Sequence, residues 1–162
     1  MTQEEFKYCF DQYFDPIRNY LYYRSGDSEL ATDIAQEVFL KVWEKKFEFE
    51  ENKTKGLLYK IAGDMLISQI RKNKVADSYR QTIEFNYKED SPEETLQYKE
   101  LKDNYEKALA GLPEKQRIVF LMSRMEELTY KEIAERLDLS VKAVEKRMSI
   151  ALGELRKIIP AQ

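Results

Sequence analysis

Apolar residues between Thr129 and Leu155 recur at spacings of three and four in two consecutive runs, the period of amphipathic helices. Thr129-Tyr130-Lys131-Glu132 has the form of a capping box: the Thr hydroxyl accepts the Glu132 N–H while the Glu carboxylate accepts the Thr129 N–H. A helix is predicted to start there, with Tyr130, Ile133, Ala134 and Leu137 on one side and Lys131, Glu132, Glu135 and Arg136 on the other. Asp138-Leu139 interrupts the run, and Ser140 offers a second N-cap. Val141, Val144, Met148, Ala151, Leu152 and Leu155 then line one stripe of a second helix. Two short helices joined by so tight a turn must cross steeply and share that stripe, as in a helix-turn-helix.

The remainder of the chain is patterned in the same way. Phe6, Phe10, Tyr13, Ile17 and Tyr20 predict the inner face of a first helix, and a second, opened by Asp27-Ser28, turns Ala31, Ile34, Ala35, Val38, Phe39 and Val42 inward. A third, from Thr54 to about Lys74, is apolar over much of its circumference through Leu57, Leu58, Ile61, Ala62, Met65, Leu66, Ile67 and Ile70. Phe85 to Asp90 shows no sustained apolar period, and Ser91-Pro92-Glu93-Glu94 then places an N-cap, a first-turn proline and early acids at a new helix start. Leu101, Tyr105, Ala108 and Leu112 follow as a stripe that stops at Gly111-Leu112-Pro113, and Glu114 to Met125 supplies another helix. The expected fold is all-α, with two small helical domains: residues 1–80 with three or four helices, a short acidic linker over 81–90, and a four-helix domain over 91–162 that ends in the helix-turn-helix.

Chemistry is concentrated on the polar faces. On the last helix Lys142, Ala143, Lys146, Ser149 and Ile150 point away from the apolar stripe, with Arg147 at the border. No acid precedes Glu145, so the N–H groups and positive dipole end of that helix stay open to a phosphate. Such a face suits a major groove; the same pattern also suits an ordinary helical hairpin with a solvated basic side. On the second helix Asp33, Gln36, Glu37, Leu40 and Glu44 share the outer face. Leu40 among acids and an amide reads as a partner-binding patch or as an isolated surface leucine. The third helix carries Lys53, Lys55, Tyr59 and Lys60 near its start and Arg71-Lys72-Asn73-Lys74 at its end. Aromatic rings with a basic track suit single-stranded nucleic acid, although cations also favour a helix C-terminus with no ligand present.

Composition narrows these readings. The 162 residues are 43% hydrophobic and 35% charged, with only five glycines and four prolines, which fits a patterned helical protein and leaves little room for a turn-rich β fold. Histidine is absent, which removes the commonest general base and the commonest zinc ligand. With no Gly-rich phosphate loop and no Cys-x-x-Cys, no enzyme, metal or cofactor is expected; a carboxylate-only, Mg²⁺-dependent hydrolase is the weak competitor. The single cysteine, Cys9, lies beside the first apolar stripe and is expected to be a small core residue. No signal-peptide pattern or membrane-length apolar run is present, so a cytoplasmic protein without membrane insertion is expected.

A net charge of −3 conflicts with DNA binding until it is mapped along the chain. Residues 52–80 hold seven Lys/Arg against two Asp, residues 81–112 four Lys against eight acids, and residues 140–162 five Lys/Arg against two Glu. Two basic blocks flank an acidic one, and it is the local field that a phosphate backbone meets.

In order along the chain, these pieces resemble a bacterial sigma factor of the extracytoplasmic-function group, the smallest members of the sigma-70 family. Asp33-Ile34-Ala35-Gln36-Glu37-Val38-Phe39-Leu40-Lys41-Val42-Trp43 is similar to the segment that docks on the clamp helices of RNA polymerase. Leu57-Leu58-Tyr59-Lys60-Ile61-Ala62 through Ile70-Arg71-Lys72 is similar to the part that melts and holds the minus-10 element, and Leu112-Pro113-Glu114-Lys115-Gln116-Arg117 with the following hairpin resembles the domain that reads the minus-35 element. The likeness spans nearly the whole chain. It departs from the family at Leu57, where many relatives carry Trp, and at Asp64 and Ser68, where they carry Asn and Asp.

The resemblance implies a non-enzymatic factor for promoter-specific initiation whose partners are core RNA polymerase, promoter DNA as duplex and melted strand, and an anti-sigma factor. It assigns Asp33, Gln36, Glu37, Leu40 and Glu44 to the polymerase, and Tyr59, Lys60, Asp64, Arg71, Lys72 and Lys74 to the minus-10 strand. Arg117, Thr129, Ser140, Lys142, Ala143, Lys146, Arg147 and Ser149 fall to the minus-35 duplex. The competing readings are a stand-alone helix-turn-helix regulator with a helical sensing or dimerisation half, and an all-helical interaction protein that never meets DNA.

Overall fold

The computed structural model describes residues 1–76 and 96–158, except for the side chains of residues 73–76, 97, 98 and 158. Seven helices run in the order α1 (Gln3–Ser25), α2 (Ser28–Lys45), α3 (Glu51–Ala76), α4 (Leu96–Gly111), α5 (Glu114–Glu126), α6 (Tyr130–Leu137) and α7 (Val141–Ile158), with no strand among the described residues. The polar segment from Phe85 and the helix start at Ser91 lie outside them.

Local chemistry accounts for most boundaries. Thr2 and Glu5 form a capping box at the start of α1, and the Asp27 carboxylate accepts the Leu30 N–H at 3.0 Å to open α2. Only Gly26 and Asp27 separate these helices. Gly26 sits at φ 71° and donates its N–H to the Tyr22 carbonyl, a left-handed position where a side chain would be strained. The third helix starts three residues before the expected Thr54. The Thr54 hydroxyl is buried and accepts the Glu50 N–H at 3.0 Å, so it tethers the chain just outside the helix from within the first turn. Pro16 lies inside α1 and removes one intrahelical donor without ending the helix.

Helices α1, α2 and α3 pack together around Ile17, Leu21, Ile34, Val38, Leu58 and Leu66. The fully buried Cys9 belongs to that core, and desolvation pushes its thiol pKa up. The inner face of α1 is rotated from the expected one: Phe10 is 41% exposed, stacking on Phe14 and meeting the edge of Phe39. Leu101 of α4 is likewise exposed, while Ala108 and Leu112 of the predicted stripe are buried together with Leu109. In the second module α5, α6 and α7 enclose Val119, Met122, Ile133, Val144 and Ala151, with α4 laid against α7.

The helix-turn-helix is built as its sequence dictates. Glu132 N–H donates to the Thr129 hydroxyl at 3.2 Å and the Thr129 N–H to the Glu132 carboxylate at 3.1 Å, which holds that carboxyl below its usual pKa. Asp138 ends α6 in the left-handed region at φ 54°, and the Ser140 hydroxyl accepts the Ala143 N–H to start α7. Ile133, Val144 and Met148 are buried, whereas Tyr130, Val141 and Leu152 of the two stripes stay exposed. Replacing Thr129 by Ala should destabilise the fold by about 1 kcal/mol. The expected result in urea is a lower midpoint with an unchanged m-value.

Candidate nucleic-acid and polymerase interfaces

On α2 the structure brings all five predicted residues to one exposed face: Asp33, Gln36, Glu37, Leu40 and Glu44. Their neighbours Ile34, Ala35, Val38, Phe39 and Val42 are buried, so core packing orients the acidic side outward. Leu40 is 57% exposed, and Trp43, which the sequence pattern does not assign to this face, is also exposed one residue before Glu44. The Trp43 ring packs against Phe6 of α1 with centroids 4.9 Å apart. Leu40 among carboxylates, with Trp43 at the edge of the face, gives this surface an apolar centre and a largely polar rim.

The basic face of α7 is equally open. Lys142, Lys146 and Ser149 are exposed, and Ala143 and Arg147 are half-buried. The Thr129 and Ser140 hydroxyls, both on exposed residues, are engaged in helix capping. They fix where α6 and α7 begin.

Arg117 lies elsewhere. It is 3% exposed and its guanidinium donates to the carbonyls of Tyr23 at 2.7 Å, Arg24 at 2.7 Å and Leu112 at 3.2 Å. It therefore joins the end of α1 to the turn between α4 and α5. The resemblance of Leu112–Arg117 to the minus-35-reading domain implies a duplex contact for this residue; its burial depends on a partner element 94 residues away in sequence.

The predicted minus-10 residues divide. Lys60, Asp64, Arg71 and Lys72 are exposed on α3, while the Lys74 side chain lies outside the described residues. Tyr59 is only 4% exposed. Its ring meets Tyr20 of α1 edge-on, with centroids 5.1 Å apart, and its hydroxyl accepts a hydrogen bond from Arg136 of α6 at 3.4 Å. Burial pushes its pKa up.

Tyr59 thus belongs to a polar seam between the two modules, a feature the sequence pattern does not show. Arg136 also pairs with Glu126 at 3.4 Å, and Asn19 and Tyr23 of α1 come close enough to Glu126 to favour its ionised form. Desolvation outweighs these neighbours and holds the Glu126 carboxyl above its ordinary pKa of 4.5; its Oε2 is buried without a hydrogen-bond partner. At the other end of the seam Arg24 forms an ion pair with Glu114 at the start of α5, and its guanidinium also donates to the Tyr20 hydroxyl. A Cβ on Gly63 of α3 would meet that guanidinium at 2.9 Å. Arg136 and Glu126 lie ten residues apart in consecutive helices, a separation that says nothing about a partner in α1 or α3.

Comparison with known proteins agrees with the two-module architecture. The family model for sigma-70 region 2 matches residues 9–75, and that for sigma-70 region 4 matches residues 102–155. The sequence is 31% identical to the ECF RNA polymerase sigma factor SigW of Bacillus subtilis (strain 168) over 166 aligned positions, covering 96% of this chain and 89% of the relative. It is 27% identical to the RNA polymerase sigma factor SigZ of the same organism, over 92% of this chain and 84% of the relative. The fold is shared with the sigma factor RpoE of Bartonella quintana, solved with the anti-sigma factor NepR: TM-score 0.67 at 20% identity, over 96% of each chain. The chain belongs to the extracytoplasmic-function group of sigma-70 RNA polymerase sigma factors. Among the described residues, no helix is long and apolar enough to cross a membrane.

The seam has a pH signature. Glu126 binds its proton more tightly in the folded chain than in water, so its contribution favours folding at low pH and is withdrawn as pH rises through its raised pKa. Glu126→Gln should remove that component. The difference in melting temperature between variant and wild type should shift in the variant's favour as pH rises from 4.5 towards neutrality. A pH-independent difference would contradict the assignment.

Proposed function

We propose that this sigma factor works through three surfaces. The exposed α2 face of Asp33, Gln36, Glu37, Leu40 and Glu44 docks on core RNA polymerase, with Trp43 at its edge. The α3 residues Lys60, Asp64, Arg71, Lys72 and Lys74 engage the minus-10 element as its strands separate. The α7 face of Lys142, Ala143, Lys146, Arg147 and Ser149 enters the major groove of the minus-35 element, with Thr129 and Ser140 at the starts of the two helices beside it. Residues 1–80 and 91–162 form the two working domains, joined through 81–90.

The single observation that carries this reading is the pairing of two outward faces of opposite chemistry, acidic with an apolar centre on α2 and basic on α7, on a chain whose two halves match regions 2 and 4. In this reading the protein is cytoplasmic and catalyses no reaction itself; the polymerase does. The solved complex of the similarly folded RpoE with the anti-sigma factor NepR supports the further reading that an anti-sigma factor restrains this chain. A stand-alone regulator would have no use for the α2 face.

Run-off transcription with purified core polymerase and a promoter library is the direct test. Promoter-dependent transcripts are expected only when the protein is added, and their start sites would report the preferred sequence. Core polymerase that gains no promoter selectivity would refute the reading. Lys146→Ala is expected to weaken minus-35 duplex binding by about 1–3 kcal/mol if it contacts a base edge; unchanged affinity in a footprinting titration would remove Lys146 from the interface. Reversing Asp33 and Glu37 to Lys should abolish co-purification with polymerase while leaving the helical circular dichroism signal intact. Loss of that signal would instead make the face structural.

A further inference from the structure

The basic face of α7 carries one acid that attraction to phosphate does not explain. Glu145 follows Lys142 by one helical turn, directly precedes Lys146 and lies one turn before Ser149, and all four are exposed. At 100° per residue it stands about 60° from Lys142 and about 40° from Ser149 around the helix. Val144 beside it is fully buried and Met148 nearly so, so core packing fixes the rotation of this turn and holds the carboxylate at the edge of the duplex-reading surface. An acid among lysines on a helix ordinarily pairs with one of them. The Glu145 side chain makes no ion pair or hydrogen bond with another described residue.

Beside a phosphate backbone an unpaired acid opposes binding unless it meets a hydrogen-bond donor. In a major groove the donors are the amino groups of cytosine, at N4, and of adenine, at N6. They are not equivalent for a carboxylate. Adenine sets its N7 acceptor beside the donor, so the second oxygen of an acceptor-only group faces a lone pair, and the amide of Asn or Gln is the matching partner. Cytosine presents its donor without a neighbouring acceptor. Guanine O6 and N7 and thymine O4 offer only acceptors, which a carboxylate repels.

We infer that Glu145 is a specificity-determining residue of the upstream element, whose carboxylate accepts a hydrogen bond from the N4 amino group of one cytosine. The inference rests on the reading of α7 as the duplex-reading helix, and adds to it the identity of one base pair. Lys142 and Lys146 attract any duplex; Glu145 lowers affinity wherever that cytosine is missing. Discrimination of this kind comes as much from an unsatisfied charge on the wrong sequence as from a new contact on the right one.

Holoenzyme assembled from the full chain and core polymerase, given a promoter library randomised across the upstream element, reports the preference position by position. Wild type is expected to enrich a C·G pair at one position by about tenfold over the alternatives. Glu145→Gln keeps the shape and removes the charge, and should move the preference at that position alone to adenine in place of cytosine on the same strand. Glu145→Ala should flatten that position and leave the others as in wild type. Tighter binding across the whole library with every wild-type preference intact, in both variants, would show an acid that only repels phosphate and would overturn the proposal. A position that responds to Glu145 but is not a C·G pair in the wild-type selection would also overturn it.

Titration of the full chain with the selected duplex gives a second measurement. Replacing that C·G pair by T·A should weaken wild type by about tenfold and the Glu145→Ala variant much less, so that the two changes are not additive. Additive losses would place the carboxylate away from that base pair and count against the proposal. A wild-type holoenzyme with no upstream preference at any position would overturn the reading of α7 itself and the proposal with it, an outcome distinct from a preference that ignores Glu145.

Discussion

A guanidinium removed from water needs acceptors for its N–H groups, and the arrangement of this molecule depends on where Arg117 finds them. Its carbonyl partners are Tyr23 and Arg24 at the end of α1 in one module and Ala110 and Leu112 before the first turn of α5 in the other. Helix C-termini carry carbonyls without intrahelical partners, so the end of α1 is a natural receptor for a cation. Burial lowers the pKa of Arg117, but a guanidinium stays charged in a protein. Removing those carbonyls would strand a buried cation, which is far costlier than losing one hydrogen bond. The contact therefore specifies a placement more than it adds stability.

Around that contact the modules use opposite strategies. Within each, apolar stripes meet along short helices, and the burial of residues such as Leu21, Leu58, Val119 and Ile133 supplies non-directional stabilisation in proportion to area. Between them, α1 meets α5 and α3 meets α6 through Arg24, Glu114, Tyr23, Tyr59, Glu126 and Arg136. Polar seams are directional and exchangeable with water or with another charged surface. The buried apolar residues of both modules nevertheless form one continuous cluster, and these polar contacts specify how the two halves meet.

The outward faces follow from the same division. On α2 and α7 the buried stripes decide which side turns to solvent, and the charged remainder becomes an interface by default: acids with Leu40 and Trp43 on one, Lys142 and Lys146 on the other. The acidic whole-chain charge does not oppose DNA binding, because fields act over about 8–10 Å at physiological salt and α7 presents its own.

What could be read from the chain alone was local. The capping box at Thr129 and the three- and four-residue periods rest on interactions between residues a few positions apart, so the helices, the turn at Asp138 and the exposed sides of α2 and α7 were legible without a third dimension. The rotation of the α1 inner face away from Phe10, the start of α3 before Thr54, and above all the burial of Tyr59 and Arg117 were decided by tertiary contacts. A tyrosine near a basic segment and an arginine in a first helical turn have the same local signature whether they face DNA or a neighbouring helix. Arg136 and the carbonyls of α1 lie 77 and more than 90 residues from the groups they meet, and no periodicity in sequence encodes an encounter at that range.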